Sequence, residues 1–279
     1  MTHKYWASVG RQAWSGVRSS DLAAYAAALA YNFLLALFPL LLFLTALLGF
    51  LHLPSLPAAI RQTFGQVLPP VMVQLVLSAL ATAQDSRNPA ILSVGAAGFV
   101  WGMSGAFRQL IDAMNHAYRF SKRTRAWWKT YALSLLLGLF LGSLIVLAVA
   151  ITTGGDQLIR WVLTRGLGLP PVGWIAALLR WGILVTLILV MLAILYAFLP
   201  DRRQPLRWLS PGALVALALW VLVSWGFSFY TAHFHSYNRM YGSLGAVILL
   251  MLYLYFIGLS LLLGAEINAA ADRVRQGAG

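Results

Sequence analysis

Six apolar runs constrain this chain more than any other feature. They lie at about 29–51, 90–107, 131–152, 175–199, 209–231 and 243–265. About 20 apolar residues in helical form cross the hydrocarbon core of a bilayer. In lipid every backbone polar group must be satisfied internally, so such runs are read as helices. Composition agrees. Of 279 residues 61% are hydrophobic and 10% charged, whereas a soluble domain is about 45–50% apolar and about 25% charged. The expected fold is all-α: a polytopic membrane helix bundle with six transmembrane helices, forming one integral membrane domain over 1–279. The second run is short and rich in glycine. A lesser apolar stretch, 71–83, contains Gln74 and reads as interfacial or re-entrant.

Charge tests the count. On one side of a six-span arrangement fall Lys4, Arg11 and Arg18, then Arg108, Arg119, Lys122, Arg123, Arg125 and Lys129, then Arg202, Arg203 and Arg207, then Arg273 and Arg275. The other side holds Arg61, Arg87, Arg160, Arg165 and Arg239. Cationic loops stay in the cytoplasm, so this split puts both termini there. Counting 71–83 as a crossing would expel the six-cation loop. A formal charge of +13 also attracts anionic headgroups. The chain has no cysteine, which excludes disulfides and thiolate metal sites. The first apolar run exceeds a signal h-region and lacks a small-residue cleavage pattern, so it reads as a span.

Two segments read as helices in the headgroup plane. In residues 1–20, Trp6, Val9, Ala13 and Val17 share a stripe opposite Lys4, Arg11 and Arg18, with Trp14 between them. After the second span, Phe107, Ile111, Met114 and Tyr118 form an apolar stripe beside Arg108, Asp112, Asn115 and Arg119. That helix is expected to leave the membrane and lie on its surface, with Arg108 and Asp112 in pairing register. Trp127 and Trp128 mark the return to lipid.

Ionisable and polar groups within apolar runs are functional candidates because they are costly there. Tyr25, Asn32 and Pro39 are spaced by seven and share a face. Pro39 removes the donor for the Leu35 carbonyl, and such a break lines a cavity, forms a hinge or is a packing kink. Arg180 either snorkels or lines a pathway. Glu266, the only glutamate, and Asn268 close the sixth run; Arg108 or Arg119 are the expected partners of that carboxylate. Gly98 and Gly102, Gly138 and Gly142, and Gly242 and Gly245 allow close helix approach. The same spacings serve a single bundle or a dimer, so no oligomeric state follows.

Enzyme signatures are missing. His233 and His235 are close but have no neighbouring acid, short of the three protein ligands of a catalytic zinc site. P-loop, GxSxG and HExxH patterns do not occur. No catalytic residue, metal or cofactor is expected, and no nucleic-acid partner.

Three segments carry a resemblance: AAALAYNFLLALFPLLLFLTALLGF over 26–50, GAFRQLIDAMNHAYR over 105–119 and YGSLGAVILLMLYLYFIGLSLLLGAEINAA over 241–270. The chain resembles the YihY/BrkB family of bacterial inner-membrane proteins, once labelled ribonuclease BN. Tyr253 stands where members often carry tryptophan, a swap between rings doing similar interfacial work. The resemblance implies a six-helix inner-membrane protein, links to serum resistance and to movement of lipid A precursors, and a ribonuclease label regarded as a misassignment. The leading expectation is a transporter or flippase of an amphiphilic, anionic lipid or envelope precursor, with membrane lipids as partners. Arg108, Asp112, Asn115, Arg119, Lys122, Arg123 and Arg125 would collect its headgroup, and the second-span glycines would leave a groove for acyl chains. The alternatives are a non-catalytic accessory protein of envelope assembly and, remotely, a ribonuclease.

Overall fold

The computed structural model describes residues 2–19, 21–51, 58, 61, 73–74, 77–78, 89–120, 125–161, 173–202, 204–233 and 236–277. Lys122, Arg123 and His235 lie outside them, as does most of 71–83. All regular structure among the described residues is helical, in seven main elements: α1 (Thr2–Ser19), α2 (Leu22–Leu51), α3 (Pro89–Ala117), α4 (Trp127–Trp161), α5 (Gly173–Phe198), α6 (Pro211–His233) and α7 (Ser236–Gly277). Four segments are long and apolar enough to cross a membrane: Leu22–Leu40, Ala177–Phe198, Pro211–Thr231 and Val247–Gly277. The second and third predicted runs are helical within α3 and α4, of 29 and 35 residues.

The helices overrun the apolar runs because helix propensity and capping act where hydropathy fades. α2 begins at Leu22 in an alanine-rich stretch, the best helix-forming composition. Asp21 precedes it, and the Asp21 carbonyl accepts from the Tyr25 amide at 3.0 Å. α6 begins with Pro211 in the first helical position, where proline is favoured. The Ala213 amide donates to Ser210 Oγ at 3.1 Å as an N-cap. α3 ends in a two-bond cap. The Arg119 amide donates to the His116 carbonyl at 2.9 Å and the Phe120 amide to that of Asn115 at 2.8 Å, with Arg119 at φ 59°.

Three expectations are corrected here. First, α3 does not leave the bundle at Phe107 to lie on a surface. It continues to Ala117, and Phe107, Leu110, Ile111, Ala113, Met114 and Ala117 are all at most 4% exposed. Their neighbours include Leu22, Leu29, Leu195, Leu199 and Leu262, so the stripe is wrapped by protein rather than headgroups. Second, the stripe of α1 faces α7, not lipid. Val9 and Ala13 pack against Ala270 and Ala271, and the Tyr5 hydroxyl donates to the Ala271 carbonyl at 3.3 Å. Trp6 falls outside that seam and is exposed. Third, Tyr253 is buried between helices rather than interfacial: its hydroxyl accepts from Trp220 Nε1 at 3.0 Å and lies 3.0 Å from Ser224 Oγ.

The α2–α3 seam explains the glycines of the second run. A Cβ on Gly98 would stand 3.1 Å from Pro39, and one on Gly102 would stand 3.0 Å from the Ala36 backbone. One on Gly105 would stand 3.7 Å from Asn32 Oδ1. The Asn32–Pro39 face therefore packs on the glycine face, and small residues let the two backbones approach. The acyl groove expected along these glycines is filled by α2. Asn32 is satisfied locally, its Nδ2 donating to the Ala28 carbonyl at 2.8 Å. α2 remains helical through Pro39.

Candidate functional site

Where α3 ends, the start of α4 and the corner between α5 and α6 close on it. A cavity of about 160 Å³ lies between them, lined by Arg108, Ile111, Asp112, Arg125, Trp127, Thr130, Tyr131 and Asp201. Helical spacing puts Arg108 and Asp112 one turn apart on α3. The Arg108 Nε donates to the Ser104 carbonyl at 3.2 Å, and its guanidinium stands 4.6 Å from the Tyr131 ring centre. That is cation–π distance and holds the fork against α4.

Arg125 lines the same cavity. Its guanidinium donates to the carbonyls of Phe198, Leu199 and Pro200 at 3.3, 3.4 and 2.9 Å. These groups end α5, where carbonyls lack helical partners and the dipole favours a cation. Arg125 is thus a structural cap as well as a wall. Asp201 follows in the same corner, and its amide donates to the buried Asn115 Oδ1 at 2.8 Å. Asn115 therefore fixes the corner rather than facing a ligand. Arg119 is spent on the left-handed turn and is exposed outside the cavity lining.

Of the predicted headgroup residues, the cavity brings together Arg108, Asp112 and Arg125. It adds Asp201, which no motif marked; its only signal was a Leu-Pro-Asp-Arg turn between two runs. Trp127, expected at headgroup level, stands at the mouth and is 76% exposed. The lining carries two guanidiniums, two carboxylates that already hold interactions within the protein, the hydroxyls of Thr130 and Tyr131, and two aromatic rings.

The other candidates lie elsewhere. Glu266 is fully buried, and its Oε1 accepts from Arg273 Nη2 at 2.7 Å, not from Arg108 or Arg119 as expected. Two helical turns separate the pair, a span of about 10 Å that two long side chains close. The carboxylate also occupies the place where a Cβ on Gly16 would stand, so it seats α1 on α7. Asn268 Oδ1 accepts from the Gly212 amide at 2.9 Å and its Nδ2 donates to Ser210 Oγ at 3.0 Å, completing the α6 cap. Asn268 also borders a second cavity of about 20 Å³ with Tyr118, Arg207 and Asp272, room for about one water. Burial pushes the Tyr118 phenol well above its ordinary pKa, and Asp272 adds to the rise. Tyr25 stacks near His116 at 4.7 Å between ring centres. Neither cavity reaches Asn32, Pro39 or Arg180. Gly138 packs on Met103, and Gly245 is buried. A Cβ on Gly142 would meet nothing within 4 Å among the described residues. The side-chain space at Gly242 lies outside the described residues. Gly212 and Gly264, not singled out by spacing, bring two backbones together: a Cβ on Gly212 would collide with the Gly264 carbonyl. Among the described residues no group of three or more His, Cys, Asp or Glu could hold a metal ion.

Comparison with known proteins gives the relationship. The family model described as virulence factor BrkB matches residues 13–279. YfkH of Bacillus subtilis, named a ribonuclease-like protein, is 32% identical over 247 residues, 87% of this chain and 87% of that protein. A UPF0761 membrane protein of Xanthomonas campestris is 38% identical over 86 residues, and one of Xanthomonas oryzae is 36% identical over 86. Those matches cover 31% of this chain but 20% of each relative, so the chain spans a fifth of the length of these Xanthomonas proteins. No solved structure matches. Apolar helices of spanning length, together with a family match over nearly the whole sequence, give one conclusion: the chain is a multi-pass protein of the bacterial inner membrane and belongs to the BrkB family.

Proposed function

We propose that this protein moves a phosphate-bearing amphiphile between the leaflets of the inner membrane, taking the headgroup into the cavity at the end of α3. The reading assumes six spans with both termini cytoplasmic, as the fourteen-to-five division of cations favours. The observation that carries it is that Arg108 and Arg125 line one cavity together with the exposed Trp127. Guanidiniums suit phosphate oxygens because their donors form a planar fork. The cation-rich flank would raise the local concentration of such headgroups.

The direct test uses proteoliposomes carrying acyl-labelled phospholipids. Label should become accessible faster with protein than without, and Arg108→Gln should remove most of the gain. Equal rates with and without protein end the proposal. The orientation is tested by labelling Arg123→Cys in intact cells: a membrane-impermeant reagent should fail to reach it from outside.

A second reading, an accessory protein of envelope assembly, draws on the α2–α3 seam, where the Asn32–Pro39 face is closed by glycines rather than opened as a pathway. It requires phenotypes that follow the seam glycines and ignore Arg108. The name of the Bacillus relative adds a ribonuclease reading, which would need RNA cleavage by purified protein that one polar substitution abolishes.

A further inference from the structure

We infer that α1 carries a docking surface for anionic phospholipid headgroups, on a face separate from the one it packs against α7. The inference draws on α1 and its seat, and does not depend on the cavity at the end of α3. Its first support is a stripe. Trp6, Gly10, Trp14 and Arg18 recur every four residues along α1, and all four are exposed. The two indoles are 51% and 60% exposed. Such rings settle where one end is apolar and the other wet. The Arg18 guanidinium stands 5.1 Å from the centre of the Trp14 ring, and exposed Arg11 lies two turns before it. Val9 and Ala13 are already taken by Ala270 and Ala271.

The second support is position. Two residues separate α1 from α2, whose Leu22–Leu40 segment is long and apolar enough to cross a membrane. So short a join keeps Trp14 and Arg18 close to the point where α2 enters lipid, the level that indoles favour.

The third support is charge. Residues 1–20 hold Lys4, Arg11 and Arg18 and no acid. A neutral headgroup layer would suit the indoles and ignore the arginines. An anionic one meets both, as it does for basic amphipathic helices with aromatic residues. The seat on α7 leaves α1 in want of this second anchor. The buried part of the seam is Val9, Ala13, Ala270 and Ala271. Gln12 Oε1, Glu266 Oε2 and Arg273 Nη1 are buried without a hydrogen-bond partner among the described residues, which weakens the contact.

The test uses the full-length chain, whose lack of cysteine allows a single label. Gly10→Cys puts a thiol in the stripe, where nothing stands within 4 Å of the Cβ position. It is coupled to an environment-sensitive fluorophore and reconstituted in nanodiscs of phosphatidylcholine alone or with an equal part of phosphatidylglycerol. Both contain the same share of lipid spin-labelled near the headgroup, which quenches the fluorophore on contact. Each arginine near an anionic surface is worth about fivefold in binding. Quenching should therefore be about twofold stronger with phosphatidylglycerol. Arg11→Gln together with Arg18→Gln should bring the two compositions level, with elution volume and thermal unfolding reporting that the variant is folded. Ala7→Cys, exposed on the same side, repeats the reading from a second site. Equal quenching of the parent in both compositions, whether strong or absent, overturns the inference. So does a phosphatidylglycerol effect that survives the loss of both arginines. The readout involves no lipid movement, so failure of the transport reading leaves it standing.

Discussion

Gly264→Ala tests the packing of the two C-terminal helices. A Cβ there would collide with the Tyr196 hydroxyl, stand 2.5 Å from the Gly212 carbonyl oxygen and lie 3.0 Å from the Ala216 Cβ. The carbonyl belongs to the first turn of α6, so only a movement of the helix relieves it. Overpacking of this kind costs about 1–3 kcal/mol, and backbone contact puts it at the upper end. Displacing Tyr196 also breaks its 2.9 Å bond to the Leu261 carbonyl, for about 1 kcal/mol more. Alanine returns about 1 kcal/mol through helix propensity. The net is a loss of about 2–3 kcal/mol, or a fall of about 5–10 °C for a chain of this size. Gly142→Ala is the control, since nothing stands within 4 Å of its Cβ position. It should leave the melting temperature unchanged or slightly raised. Thermal unfolding in detergent, followed by loss of the monodisperse elution peak, reads both at one heating rate. Equal melting temperatures for Gly264→Ala and the parent would refute the packing.

Three further substitutions probe separate features. Arg273→Met leaves the buried Glu266 without its cation and should destabilise by about 3–5 kcal/mol; adding Glu266→Gln should recover most of that loss in the same melting assay. Arg119→Gly removes a Cβ from a left-handed residue and should raise stability by about 1 kcal/mol, provided the α3 cap is as described. Tyr253→Phe strips the acceptor from Trp220 Nε1 and should cost about 0.6–2 kcal/mol, with little change for Tyr255→Phe on the other side of the helix.

The existence of the main helices was legible because hydropathy measures transfer into lipid, and lipid is what most of them face. The same measure cannot tell lipid from protein, and the errors sit where that distinction matters. The stripes of α1 and of 107–118 have the amphipathic pattern of surface helices, yet α7 covers the first and the core absorbs the second. Glu266 was recognised as needing a cation. Its partner was missed because Arg273 was counted as part of a basic tail rather than as two turns along the same helix. Gly212 and Gly264 escaped notice because helix crossing, not a repeat within one helix, brings them together. Asp201 escaped for a similar reason: α3 and the α5–α6 corner meet only in the tertiary structure.

Net charge overstates what the basic loops can offer a ligand. Arg125 already answers three carbonyls, Arg108 leans on Tyr131, Arg207 bonds Asp272 at 2.7 Å, and Arg273 neutralises Glu266. Each is fixed by an intramolecular partner, and a fixed cation binds differently from a mobile one. A mobile lysine or arginine on the rim attracts any anionic surface, and its contribution fades as salt screens it over about 8–10 Å. A guanidinium locked inside a cavity selects by shape and is screened far less. Charge capture and headgroup recognition should therefore respond differently to salt. Raising ionic strength should weaken association with anionic vesicles steeply while leaving the preference for one soluble headgroup over another nearly constant. If that preference vanished along with vesicle binding, the cavity would be acting only as another part of the basic rim.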